Sequence, residues 1–272
     1  MASQHFSNME RNSREIFFTP TYFDEEVKLN QKTLYNYRRE IKSEPINRVA
    51  ISYQIFKTEF ELFISRYSGG EHISYLDKNY EIVLQAFYDY RSEGGEPFNL
   101  NDLDDYCFTI WLLSLAILFE VSSSRFARLC EDLDNDGKDV FVDYLKASYL
   151  QTDKKIPSVV LHPNPYQHLL RAIASFNSAE QTAHIDSFLK SYYSSHFETC
   201  WHDSHLQDDA GFFGYWSFEL AAVVKNLQID DTIFANNMFY PRDLLRKKLF
   251  RTWEDSPQGE ADRKEYSRLV SS

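Results

Sequence analysis

INRVAISYQIFKTEFELFISRY, residues 46–67, decides the fold class. Ile46, Val49, Tyr53, Phe56, Phe60, Phe63 and Tyr67 recur at steps of three and four, which places them on one face of an α-helix. A strand needs alternation at period two, and none is sustained. Pro45 fits the first helical turn, and Gly69-Gly70 ends the segment. Upstream, Val27, Asn30, Leu34, Tyr37 and Ile41 form a second seam, with Asp24 as its expected cap. Downstream, Ile73, Leu76, Tyr80, Val83, Phe87 and Tyr90 form a third, stopped by Gly94-Gly95 and Pro97. Three successive helices of about 20 residues with short connectors predict an antiparallel bundle.

The remainder continues in helices. A fourth, starting at Asn101 or Asp102, is apolar nearly all round and reads as central. Ser122-Ser123-Ser124 can cap a fifth helix, and a sixth covers roughly 138–150. The stretch 151–165, QTDKKIPSVVLHPNP, marks the best boundary. Helices at about 165–176 and 179–193 follow, with Ser178 and Gln181 in a capping-box pattern. The segment 211–227 opens on glycines and turns apolar, and Pro241 opens a last helix to about Phe250. Residues 1–20 carry no period and read as a loose arm. The expected fold is therefore all-α, a bundle of about ten helices, with an N-terminal part (20–155) packed on a C-terminal part (156–252).

The chain has 272 residues, with 29 Lys and Arg against 41 Asp and Glu, a net charge of −12. That balance argues against a free-standing nucleic-acid binder, which needs clustered cations for phosphates, and against an anionic membrane surface. Two windows carry the excess. Residues 101–143 hold ten acids and three bases, and residues 196–231 hold seven acids and one base. The sharper reading is a docking face for a basic protein; the plainer one is a solvated surface. Cys107, Cys130 and Cys200 are odd in number and far apart, as expected of reduced thiols in the cytoplasm. The N-terminus lacks the apolar core of a secretory signal.

Several clusters invite chemistry. Asp132, Asp134, Asp136 and Asp143 fall at calcium-loop positions around Gly137, but Asp139 occupies a position normally apolar. An interhelical turn with capping aspartates is the competing and simpler reading. His196, Cys200, His202 and His205 lie within ten residues, yet their spacing matches no zinc signature. A metal-dependent hydrolase using His196, His202 and His205 is one alternative function; a helical adaptor for an unrelated partner is another. No nucleophile elbow, HExxH or P-loop is found, and neither a metal nor a cofactor is expected. Glu219, alone among Trp216, Phe218 and Leu220, is either an acid with a raised pKa or a satisfied core carboxylate.

Gly214-Tyr215-Trp216-Ser217-Phe218-Glu219, followed by small residues, then Ile229-Asp230-Asp231 and Tyr240-Pro241-Arg242-Asp243-Leu244, resembles the signature of the PoNi-type immunity proteins. Leu169-Leu170 and Tyr192-Tyr193 are similar in placement, and the resemblance spans about residues 20–250. It implies an immunity partner of PoNe-type polymorphic toxins, DNases of the PD-(D/E)xK superfamily delivered by type VI or related secretion systems. Such a protein binds its toxin in the producer's cytoplasm and performs no catalysis. The expected partner is then a cognate nuclease toxin. Interface candidates are Glu198, Asp203, Asp208 and Asp209, with Asp102, Asp104, Asp105, Asp132, Asp134 and Asp136 second. Tyr215, Trp216, Phe218 and Glu219 are expected to be structural, and Asp230 and Asp231 to cap a turn.

Overall fold

Helices α1 (Pro20–Ser43), α2 (Arg48–Ser68) and α3 (Ile73–Ser92) form the expected consecutive run, α1 on α2 and α2 on α3. The structure is a computed structural model that describes residues 13–43, 46–151, 157–207 and 211–245. Pro45, Asp208 and Asp209 therefore lie outside the described residues, as does any helix beyond residue 245. Then come α4 (Leu103–Leu118), α5 (Ser123–Leu133), α6 (Val140–Leu150), α7 (Pro163–Ala174), α8 (Ser178–Ser195) and α9 (Phe218–Leu227). Nine α-helices and no strand occur among the described residues, and none of these helices is long and apolar enough to cross a membrane.

The core follows from the seams. In α2, Phe56, Phe60, Phe63 and Tyr67 are buried; Phe56 and Phe60 meet Phe87, Phe98, Phe108 and Trp111 ring to ring, and Phe63 meets Tyr80 and Phe119. Every residue of α4 except Asp104 and Asp105 is buried. Packing α4 against α9, itself buried from Phe218 through Val224, joins the N-terminal and C-terminal parts in one hydrophobic core. Tight turns use left-handed backbone where needed: a Cβ at Gly214 (φ +119°) would stand 2.3 Å from Ser68 Oγ.

Several local expectations are corrected. Asp24 does not cap α1, which already starts at Pro20. The α2 seam begins later than its periodicity suggests. Asn47 precedes the helix, Ile46 is 90% exposed and Val49 is also exposed, because no element among the described residues covers that end. At α8 the cap is Asn177, whose Oδ1 accepts from Ala179 N and Glu180 N; Ser178 is already helical. Ser122 precedes α5 without capping it through its side chain. After Pro241 the chain forms a 3-10 turn, Arg242–Leu244.

Nor is residue 13 onward a loose arm. Arg14 donates to Asp243 Oδ2 (2.9 Å), Tyr67 O (2.7 Å) and Glu71 O (2.9 Å), and its guanidinium lies 4.7 Å from the Tyr67 ring centroid. These bonds tie the chain start to the end of α2 and to the Tyr240–Leu244 segment.

A candidate partner-binding face

Asp102 caps α4: its Oδ1 accepts from Asp104 N (3.0 Å) and Asp105 N (3.2 Å). Asp104 and Asp105 thus sit in the first turn of α4, where the helix dipole favours negative charge. Asp105 accepts from Asn99 N (2.9 Å), and Asp104 accepts from Cys200 N (3.0 Å). The second of these bonds matters most. It fastens the loop after α8 to the start of α4 and so joins the two acidic windows.

Two further carboxylates enter from elements outside those windows. Burial pushes the Glu61 carboxyl of α2 up; Lys57, 3.8 Å away, opposes this, and Glu26 of α1 reinforces it. Glu26 is itself raised by burial and by Glu25. Asp105 is raised by burial, and the like charges of Asp102 and Asp104 add to it against the Asn99 bond. The Cys200 thiol is pushed up to about 12 by burial and then by Asp104, with Glu61 adding to the rise. One thiol therefore senses acids from α2 and α4. Glu198 stands exposed two residues before it, beside Phe197, which is 60% exposed. Glu26, Glu61, Asp104 and Asp105 are thus drawn together around Cys200, with Lys57 as their cation among the described residues, and Glu198 follows on the same loop as Cys200. Glu26 and Glu61 were not legible as members, because the sequence gives no sign that α1 and α2 meet the α4 start.

Asp203 lies farther along the loop in left-handed backbone and accepts from the Tyr193 hydroxyl, which holds its carboxyl below the usual range. The aspartates of 132–139 serve the α5–α6 turn. Asp132 pairs with Arg128 (3.5 Å), Asp134 closes α5 in left-handed backbone, and Asp136 meets Lys146 Nζ (2.6 Å). Asp139 is the N-cap of α6, and Asp143 accepts from Gly137 N. This is the capping turn, with the carboxylates of Asp132, Asp136, Asp139 and Asp143 committed to local donors.

The histidines disperse. His196 is buried between Tyr192 O (2.6 Å) and Tyr166 OH (3.0 Å), and burial lowers its pKa to about 4. His202 stacks on Tyr193 at 4.2 Å, and the His205 Nδ1 lies 2.8 Å from Tyr215 OH. Among the described residues no group of three or more His, Cys, Asp or Glu is arranged to hold a metal ion.

The 214–244 motif residues fix the C-terminal part onto α2. Trp216 Nε1 donates to Ser68 Oγ (2.7 Å), which donates to Phe213 O (2.5 Å). Phe218 and Trp216 pack on Tyr67. Asp230 accepts from Thr232 N, Tyr240 OH donates to Asp231, and Pro241 is buried. Glu219 is fully buried, accepts from Ser217 Oγ (2.9 Å), and is pushed up to about 7 by burial.

The fold defines an all-α protein built around a large aromatic core, with carboxylates of α1, α2 and the α4 start brought near one another. The profile for PoNe immunity protein (PoNi), N-terminal, matches residues 14–131, and that for PoNe immunity proteins (PoNi), C-terminal, matches residues 137–244. The chain belongs to the PoNe immunity protein family. In fold it is similar to protein PA2201 from Pseudomonas aeruginosa, with a TM-score of 0.70 at 17% identity over 88% of this chain and 92% of that one. No curated protein sequence matches.

Proposed function

We propose that this chain neutralises a cognate PoNe-type DNase toxin by laying its acidic face over the toxin's basic, DNA-receiving surface. The toxin would be delivered by a type VI or related secretion system, and the antidote would act in the producer's cytoplasm. One observation supports the reading: Glu26, Glu61, Asp104 and Asp105 come together from α1, α2 and α4, where burial and neighbouring like charges raise Glu26, Glu61 and Asp105, and the loop carrying Glu198 is tied to them through Cys200 N. A cationic partner relieves that repulsion, steers association and competes directly with phosphates. Charge sets rate and register; the exposed Phe197 and the 70% exposed Leu206 supply apolar anchors on the same loop. Asp203, Asp208 and Asp209 extend the loop's negative character, while the 132–136 acids, committed to their own turn, have a lesser part. The task requires no turnover.

Co-expression with the toxin encoded beside it tests the proposal. The wild-type chain should restore growth and co-purify with the toxin, and Glu26→Lys/Glu198→Lys should protect less. Full protection by the reversal variant would remove this face from the interface.

A further inference from the structure

Four fully buried polar atoms at the junction of α4, α8, α9 and the loop after α8 have no hydrogen-bond partner among the described residues: Trp111 Nε1, Tyr192 OH, Trp201 Nε1 and Glu219 Oε2. Their side chains form one cluster. The Trp111 and Trp201 ring centroids are 5.9 Å apart, and Trp201 stacks on Tyr192 at 6.4 Å. Glu219 acts electrostatically on Tyr192, and the Trp111 N–H is near enough to favour the Glu219 carboxylate without reaching it in hydrogen-bond geometry. Orphaned groups of this kind are costly when buried.

We propose that Trp111, Tyr192, Trp201 and Glu219 enclose a binding site for one resident water molecule that joins the N-terminal and C-terminal parts of the fold. The donor inventory selects the ligand. Two indole N–H groups can only donate, the Glu219 carboxylate oxygen accepts, and the Tyr192 hydroxyl does either. A metal cation has no use for two indole donors, and an anion finds no basic side chain among the four to pair with. Water accepts twice and donates twice, so it completes all four groups. The titratable groups that Glu219 acts on are Tyr106 and Cys107 of α4, Tyr166 of α7 and Tyr192 of α8, and His196, just after α8, packs on Tyr192 and Trp201. Burial keeps all of them neutral near pH 7, so no side-chain cation takes the water's place.

Two measurements on the full chain test the site. In a high-resolution crystal structure, a density peak should lie about 2.7–3.2 Å from both indole nitrogens and Glu219 Oε2. In solution, the 15N-labelled indole N–H signals of Trp111 and Trp201, assigned through Trp111→Phe and Trp201→Phe, should show cross-peaks to a long-lived water. Should either variant fail to fold, the wild-type crystal still decides. A direct Trp111–Glu219 hydrogen bond with no peak among the four atoms, or indole signals without water contact, would overturn the inference.

Discussion

Replacing Asp139 with alanine should be the most damaging single change in the α5–α6 region. The side chain is fully buried. Its Oδ1 accepts from Phe141 N (2.8 Å), Val142 N (3.0 Å) and Tyr106 OH (2.9 Å), and its Oδ2 accepts from Leu161 N (2.9 Å). Alanine removes a helix N-cap worth about 1 kcal/mol. It also orphans the buried Tyr106 hydroxyl and the Leu161 N–H, each at about 1–3 kcal/mol. The sum is about 4 kcal/mol, or roughly 10 °C in Tm for a chain of this size. Asp139→Asn keeps Oδ1 for three donors and turns an NH2 toward Leu161 N–H, so it should lose only about 1–2 kcal/mol. Denaturant unfolding followed by circular dichroism measures both variants. An alanine variant within about 1 kcal/mol of wild type, or an asparagine variant as damaged as alanine, refutes this account of Asp139 as the local hub.

Glu219→Gln tests the buried carboxyl. Burial raises its pKa to about 7, so the native state holds a proton that the unfolded chain releases near pH 4.5, and wild-type stability falls as pH climbs from 4.5 to 7. Glutamine lacks this titration and should gain on wild type by up to about 3 kcal/mol between pH 4.5 and 8; parallel stability–pH curves would contradict it, and donation to Oε2 from a resident water would shrink the gap. Arg14→Ala should cost about 2 kcal/mol through its ion pair, two carbonyl bonds and contact with Tyr67, with Arg14→Lys a poor rescue in unfolding titrations. Because binding a cationic partner favours the charged forms of Glu26, Glu61 and Asp105, toxin affinity should weaken as pH falls through their raised pKa values. Titration calorimetry in buffers of different ionisation enthalpy should then report proton release on binding, and its absence at every pH would count against these carboxylates.

The fold was legible where burial writes a period. The run from Phe56 to Tyr67 and the α3 seam are inward as read, and the all-round apolarity of α4 marked it as central. Helix ends were less legible, since a cap depends on which neighbour already holds the orphan N–H groups. Asn177 and Ser178 are equally good caps in sequence, and only the backbone separates them. Ile46 and Val49 obey the period yet face solvent, because periodicity names a face without saying where its cover stops. Asp139 shows the reverse case. It broke the calcium-loop pattern at an apolar position, and that anomaly marks the buried acceptor holding the turn together. The candidate face was half legible. Charge counting named Asp102, Asp104, Asp105 and Glu198 as candidates; that Glu26 and Glu61 stand near Asp104 follows from tertiary packing alone.

Association of the purified chain with the toxin encoded beside it, followed by stopped-flow across a salt series, tests acidic-face neutralisation most directly. At low salt the wild-type chain should bind at least tenfold faster than Glu26→Lys/Glu198→Lys, and the two rates should converge as salt screens the charges. Equal rates at low salt, with toxin activity still blocked, would contradict the account.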